Sequence, residues 1–473
     1  MSDVDFLEVP KERPWRGEFA ATFALSWPLA LANLLQMLTY AIDVIFIARL
    51  GPLQLAASSL CVSFFGLVTW GLIGLTGAVA PLMASELGAR APALRPVRRV
   101  MRMGLWLSVL SGALGMGICL LADEVMVATG QDPRIIVLAR EYIGVLMFAT
   151  IPMIMANVLR SFVSALGRPV IATVITAGGI GVNALGNYAL IFGNLGAPAL
   201  GLTGAALATL TTSVAIVLAY FVAIAMDPRM HRYHILGFWW RADWPRMWQL
   251  IRVGTPIGLT VVAEGGIFGS AAYMMGRFGA TELAAHTLAL QLAALAFQVP
   301  FGVSQAATIR VGYFFGARDR EGVARAGWAA LAIGTGFMAT TALAMLLVPR
   351  WLLALYIDPW DPANAAMVAL ALGYLAIAAA FQLFDGIQSV AAGVLRGLQD
   401  TRAPMFIAIF AYWLPGFGTA MVLGFGTPLR GNGVWVGLAI GLVVAALLLV
   451  SRWHWRDRLG LFSRSHGPVP ESL

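Results

Sequence analysis

The sequence predicts an all-α polytopic membrane protein, with twelve transmembrane helices in two six-helix bundles related by a pseudo-two-fold axis along the membrane normal. Three observations predict it: a composition too apolar for water, twelve apolar runs of membrane-crossing length, and a repeat of half the chain. Of the 473 residues, 60% are hydrophobic and only 11% charged, and mean hydropathy is +0.81. Soluble chains carry about a quarter charged residues, so most helices here must face something other than water.

At about 1.5 Å per residue, runs long enough to cross a bilayer lie at Phe19 to Ala48, Leu53 to Ser85, Val97 to Leu121, Ile135 to Leu159, Val170 to Phe192 and Leu202 to Met226. The second six lie at Trp248 to Met275, Leu283 to Tyr313, Ala324 to Val348, Ala363 to Leu395, Met405 to Phe425 and Val434 to Val450. The first run follows a mixed-charge start (Asp3, Asp5, Glu8, Lys11, Glu12, Arg13, Arg16) and has no small-residue cleavage site, so it is expected to remain in the mature protein. Cys61 and Cys119 both fall inside apolar runs; they read as packing residues, and neither a disulfide framework nor a metal site is expected.

The net charge of +8 has the sign of a nucleic-acid binder, but its distribution is that of membrane orientation. Arg90, Arg95, Arg98, Arg99 and Arg102 fall in one connection, Arg229, Arg232, Arg241 and Arg246 in another, Arg310, Arg318, Arg320 and Arg325 in a third, and Arg452, Arg456 and Arg458 in the tail. The opposite connections hold few basic residues and include Asp123, Glu124, Asp132, Asp358 and Asp361. The positive-inside rule then places both termini in the cytoplasm of a multi-pass plasma-membrane protein, in bacteria the inner membrane. No nucleic-acid partner is expected; membrane lipid is, and the chain is expected to act as a monomer.

The longest connection, near Asp227 to Arg246, falls at the midpoint, and sliding the chain along itself until Pro28 meets Pro256 superposes the two halves without a gap. At that fixed offset Arg49 and Gly51 fall on Arg277 and Gly279, Leu55, Ala56 and Ala57 on Leu283, Ala284 and Ala285, and Gly88, Ala89 and Arg90 on Gly316, Ala317 and Arg318. The expected lobes are therefore 1–233, with helices one to six, and 234–473, with helices seven to twelve. Six crossings per half make the repeats parallel, a plan used by secondary transporters that hold substrate between two bundles. Pro28 and Pro256 would loosen the first and seventh helices at equivalent points.

A carboxylate in the hydrocarbon region costs at least about 2.5 kcal/mol unless partnered, which makes it a functional candidate. Three acids lie well inside runs: Asp43, Glu264 and Asp385. Glu264 stands about three helical turns past Arg252, and Asp385 about three turns before Arg396. Both are therefore about 16 to 18 Å from the inner face, where they can converge on one cavity. Asp43, Asn187 and Thr209 share a depth of about 9 to 12 Å below the outer face, and Asn183 lies one turn deeper than Asn187 on the same helix face. An acid, two amides and a hydroxyl can hold a proton relay or a hydrated cation, although Asn and Thr in membrane helices also simply bond across helix pairs. Glu264 falls on Gln36 and Asp43 on Ala271 in the repeat, so each half has its own polar chemistry.

Aromatic, methionine and amide side chains mark a candidate substrate cavity, comprising Gln36, Tyr40, Tyr273, Met274, His286, Gln291, Phe381 and Gln388. Such surroundings with an acid suit lipophilic cations through cation–π contact and charge pairing, while packing is the alternative for each residue. For His286 an interhelical hydrogen bond is the expected role. There is no GK[ST] phosphate loop, nucleophile elbow or HExxH. Neither catalysis nor a cofactor is therefore expected, and energy would come from an H+ or Na+ gradient.

The chain resembles the multidrug and toxic compound extrusion (MATE) family, in its NorM-like bacterial branch, over about Ala20 to Val450. The resemblance rests on Asp385-Gly386-Ile387-Gln388 with Gly393-Val394-Leu395-Arg396-Gly397 and Asp400-Thr401, and on Glu264 with Ala284-Ala285-His286. Asp43 before Arg49-Leu50-Gly51, and Asn183 with Asn187, also match. It implies efflux of organic cations in exchange for H+ or Na+, with Glu264 and Asp385 as the C-lobe cation site and Asp43, Asn183, Asn187 and Thr209 as the N-lobe site. Several sodium-coupled relatives carry tyrosine where this chain has Phe381, which removes an oxygen ligand and favours a proton at the C-lobe. The alternative function is a flippase for a lipid-linked precursor on the same double six-helix plan; it would favour a basic cavity.

Overall fold

A computed structural model describes residues 15–90 and 92–462; the mixed-charge start, apart from Arg16, lies outside them. Twelve helices there are long and apolar enough to cross a membrane. The first six spans are Trp15–Ala48, Pro52–Ala89, Leu94–Ala128, Pro133–Ala165, Pro169–Phe192 and Leu202–Met226. The second six are Trp244–Phe278, Ala280–Gly316, Arg320–Leu347, Pro362–Gly397, Arg402–Gly426 and Gly431–His454. Every expected run corresponds to one of them. Proline at the first helical position starts several, since its missing N–H has no partner there in any case; Pro52, Pro133 and Pro169 are examples.

The chain divides into two compact units, and their limits are not those of the sequence halves 1–233 and 234–473. One unit is Leu31–Gly258; the other joins the beginning of the first span, up to Ala30, to the chain from Leu259 onward. The two breaks, after Ala30 and after Gly258, fall at equivalent points of the repeat, each just beyond one of the paired prolines Pro28 and Pro256. Each half of the repeat thus lends the first part of its leading helix to the other half's bundle.

Close backbone approach and buried charge explain why those segments sit where they do. In the first unit, a Cβ on Gly74 of the second span would meet the backbone of Gly258 in the seventh. In the second unit, a Cβ on Gly302 of the eighth span would meet the backbone of Ala30 in the first. Gly74 and Gly302 are repeat equivalents, as are Ala30 and Gly258, so one small-residue contact occurs twice. Each segment is also held by an ion pair, of opposite polarity in the two units. In the first unit Arg246 on the lent segment pairs with Glu86 of the second span. In the second unit Glu18 on the lent segment pairs with Arg310 of the eighth span.

The Glu18–Arg310 pair is buried, at 1% and 4% exposure. Arg310 donates from Nε and Nη2 to Oε1 at 3.0 and 2.8 Å and from Nη2 to Oε2 at 2.6 Å, and its guanidinium lies 5.0 Å from the Phe314 ring centroid. The long midpoint connection is tied to the third span: Arg98 donates to the Tyr233 carbonyl at 2.7 Å, Trp106 Nε1 to the Trp239 carbonyl at 3.2 Å, and Arg99 pairs with Asp243. Cys61 and Cys119 are both free and buried, as expected of packing residues.

Removing one partner from a buried ion pair strands the other, at about 3 to 5 kcal/mol, whereas apolar replacement of both is far milder. Arg310→Met is therefore expected to lower the thermal unfolding midpoint in detergent sharply, and Glu18→Met/Arg310→Met to recover most of the loss.

Candidate functional site

In the unit Leu31–Gly258, the fifth and sixth spans form a tight hairpin. A side chain at Gly204 would collide with the Leu190 carbonyl, and one at Gly186 would press on Ala208; small residues allow such approach within a membrane. On the fifth span Asn183 and Asn187 share one face and are fully buried. That face meets Asp43 on the first span. Oδ1 of Asp43 accepts from Asn183 Nδ2 at 2.9 Å and from Asn187 Nδ2 at 2.6 Å. The second N–H of Asn187 donates to Asn183 Oδ1 at 3.2 Å.

The Thr209 hydroxyl lies 3.4 Å from Asp43 Oδ2 but 3.2 Å from the Ala205 carbonyl. With one proton to donate and two acceptors, it is the weakest member of the group. All four residues expected here from depth and helix face are brought together.

In the other unit, the tenth span is fixed against the eighth through small residues and hydroxyls. Ser304 donates to the Ser389 carbonyl at 2.7 Å and Thr308 to the Gly393 carbonyl at 2.9 Å. This places Asp385, 5% exposed, beside Glu264 of the seventh span. One amide joins the two acids: Gln388 Nε2 donates to Glu264 Oε1 at 3.2 Å and to Asp385 Oδ1 at 3.3 Å. The amide is itself oriented by Tyr412, whose phenol donates to Gln388 Oε1 at 2.9 Å.

Tyr412 was not legible as a site residue in the sequence. It opens a π-helical turn, Tyr412–Gly416, that contains Pro415. A proline within a helix cannot donate to the preceding turn, and the widened turn is the local result. Pro415 and Gly416 inside an apolar run were the signal for an irregularity there. Neither Glu264 nor Asp385 has an ion-pair partner among the described residues.

The candidate cavity residues are divided between the two units. Gln36 and Tyr40 are half-buried on the Asp43 helix. Gln388 belongs to the acid pair. Met274 and Phe381 are packed into the second unit's core, so neither is free to face a ligand there. Tyr273 is 75% exposed, and Gln291 is also exposed. For His286 the expected interhelical hydrogen bond is absent: it is buried, its ring lies 5.5 Å from that of Trp435, and neither ring nitrogen has a hydrogen-bond partner.

The geometry can be set beside known proteins. The MatE family model matches residues 28–189 and 256–422, two stretches that begin at the equivalent prolines of the repeat. A relative from Mesorhizobium japonicum, "Probable multidrug resistance protein NorM", is 42% identical over 459 residues, covering 97% of this chain and 98% of its own. "Multidrug resistance protein NorM" of Burkholderia vietnamiensis is 38% identical over 92% of this chain and 93% of its own. Among solved structures, the eukaryotic MATE transporter AtDTX14 superposes with a TM-score of 0.84 at 18% identity, over 95% of this chain and 99% of its own. An outward-facing multidrug resistance MATE family transporter gives 0.84 at 22% identity, over 98% and 99%. At these identities the structures speak for the fold alone. The family model and the sequence relatives go further: the chain belongs to the MatE family of transporters and is not an enzyme.

Proposed function

We propose that the protein is a secondary multidrug efflux antiporter that exports organic cations in exchange for protons or sodium ions. The observation that carries this reading is the pair Glu264 and Asp385, two carboxylates in membrane-spanning helices that share a single amide and form no salt bridge among the described residues, Arg396 acting on Glu264 only from beyond ion-pair distance. Two like charges so placed repel each other, and a proton or a monovalent cation relieves the repulsion. An organic cation and a coupling ion that compete for the same negative charge give exchange. The names of the NorM relatives supply the expectation of chemically varied drugs. We place both termini in the cytoplasm of the bacterial inner membrane, on the distribution of arginines.

The ligand set favours a proton at the C-lobe pair. Sodium takes oxygen ligands in number, as hard cations do. Here Gln388 Oε1 is already engaged by Tyr412, and Phe381, where an additional oxygen would stand, packs its ring 5.5 Å from that of Trp435. The Asp43 group is richer in oxygen and serves as the N-lobe cation site in this reading.

In proteoliposomes, a cationic dye should accumulate only under an imposed gradient. Glu264→Gln and Asp385→Asn should each cut that accumulation by about two orders of magnitude, the scale of losing a positioned proton carrier; undiminished accumulation in both variants would sink the assignment. Gradients of sodium alone and of pH alone, imposed separately, identify the coupling ion, and the pH gradient is expected to suffice. At the N-lobe site, Asn187→Ala should impair transport far more than Thr209→Val, which is expected to stay within about threefold because its long hydrogen bond has a nearer competitor.

A further inference from the structure

On the tenth span, toward its Ala365 end, lies a second group of buried polar side chains that the acid pair does not use. Tyr374 is 1% exposed and Gln382 is 0%, and facing them are His286 of the eighth span at 1% and Trp435 of the twelfth at 0%. Trp435 is the hub. The Tyr374 ring stacks on it at 5.8 Å and 13°, and the His286 ring meets it edge-on at 5.5 Å. Five buried polar atoms along this stretch have no hydrogen-bond partner among the described residues: around Trp435 its own indole nitrogen, the Tyr374 hydroxyl and both His286 ring nitrogens, and, nearer Asp385 on the tenth span, the Gln382 side-chain oxygen. The Gln382 amide donates only to the Ala293 carbonyl, at 3.4 Å.

Leaving one buried polar atom unpaired costs about 1 to 3 kcal/mol. Four around one ring, with a fifth farther along the same span toward Asp385, point to ligands that pair them, and small buried polar sites are ordinarily filled by water. The cluster also has a direction. Tyr374 lies about three turns before Asp385, about 16 Å along the helix and on the same face, and Gln382 is about one turn before it. At the Tyr374 end, Glu282 and Arg430 form an ion pair at 2.9 Å close enough to act electrostatically on Tyr374. At the other end, Glu264 and Tyr412 face Asp385, and Arg396 acts on Glu264 and Tyr412.

We propose that Tyr374, His286, Trp435 and Gln382 line a hydrated proton path leading from the outer end of the tenth span to Asp385. The inference rests on the reading of Asp385 as a coupling carboxylate. Its ligand is a short file of water molecules. A proton taken from the outer water enters the file, each water gains one proton and passes one on, and the Asp385 carboxylate becomes a carboxylic acid. His286, with both nitrogens unpaired, accepts at one and releases from the other. The lining suits water, which both donates and accepts: the indole N–H can only donate, the Gln382 oxygen can only accept, and the imidazole and the phenol can do either.

The test is pH-gradient-driven dye accumulation, with pyranine reporting proton flux, in proteoliposomes of wild type and of Tyr374→Phe, Gln382→Leu, His286→Phe, His286→Gln and Asp385→Asn. Tyr374→Phe removes one oxygen and keeps the ring, so it carries the test even where a larger change prevents folding. The expected result is a loss of about tenfold or more in proton-coupled rate for Tyr374→Phe, Gln382→Leu and His286→Phe, equivalent to about 1.4 kcal/mol on the barrier. His286→Gln should recover most of the rate, dye affinity measured in detergent should stay within about twofold, and the solvent deuterium isotope effect should change.

If Asp385→Asn abolishes coupling while the lining variants keep wild-type rates and isotope effect, the path is overturned and the reading of Asp385 stands. Transport driven by sodium and indifferent to a pH gradient overturns the path as well. If Asp385→Asn itself keeps full coupling, the reading of the acid pair fails, and the path fails with it.

Discussion

A carboxylate withdrawn from water into a membrane-spanning helix carries a penalty of at least about 2.5 kcal/mol, and the three acids of this protein answer it in two ways. Asp43 is met by the amides of Asn183 and Asn187 and, more loosely, by the Thr209 hydroxyl. Glu264 and Asp385 share one amide between them. The first arrangement offsets part of the penalty with hydrogen bonds donated to the carboxylate. The second leaves two negative groups under-served, and that deficit is what a proton or a cationic cargo can fill. Much of the surrounding packing serves these two arrangements. The Gly204 contact brings the fifth and sixth spans close enough for Asn187 and Thr209 to share an acid, and the Ser304 and Thr308 bonds fix the height of the tenth span.

The part of this organisation legible in sequence was the part that depends on one coordinate, position along a helix. Counting residues from helix ends put Glu264 level with Asp385, and Asp43 level with Asn187 and Thr209, with Asn183 one turn deeper on the Asn187 face. Helices confined to a slab have little freedom beyond tilt and rotation, so residues at one depth have a fair chance of meeting. Rotation is what the count does not carry. Tyr273 and Met274 are neighbours at the same depth, yet one faces outward and the other is buried in the core. Tyr412 was missed because its direction depends on a local change of helical pitch at Pro415. His286 was assigned a hydrogen-bond partner across helices, and neither of its ring nitrogens has one among the described residues.

The division into units was hidden for a different reason. A sequence repeat locates copies of a sequence, whereas compact units are decided by contact. The offset between the halves located Pro28 and Pro256 correctly as paired special points, but nothing in it shows that the segment before each belongs with the other copy's helices. The information lay in pairs of small residues far apart in the chain, Gly74 with Gly258 and Ala30 with Gly302, and in the inverted polarity of two ion pairs.

That exchange of leading segments bears on how such a chain can arise and how it can be cut. A half ending near residue 233 contains the second to sixth spans of one bundle, but the helix segment that completes that bundle begins at Trp244, in the other half. Neither half can finish its own packing. A single copy could complete its bundle only by exchanging leading segments with a second chain, as swapped dimers do; in the duplicated chain the exchange is intramolecular. The opposite polarity of the two ion pairs matches Arg246 to Glu86 and Glu18 to Arg310, so the two leading segments are not electrostatically interchangeable.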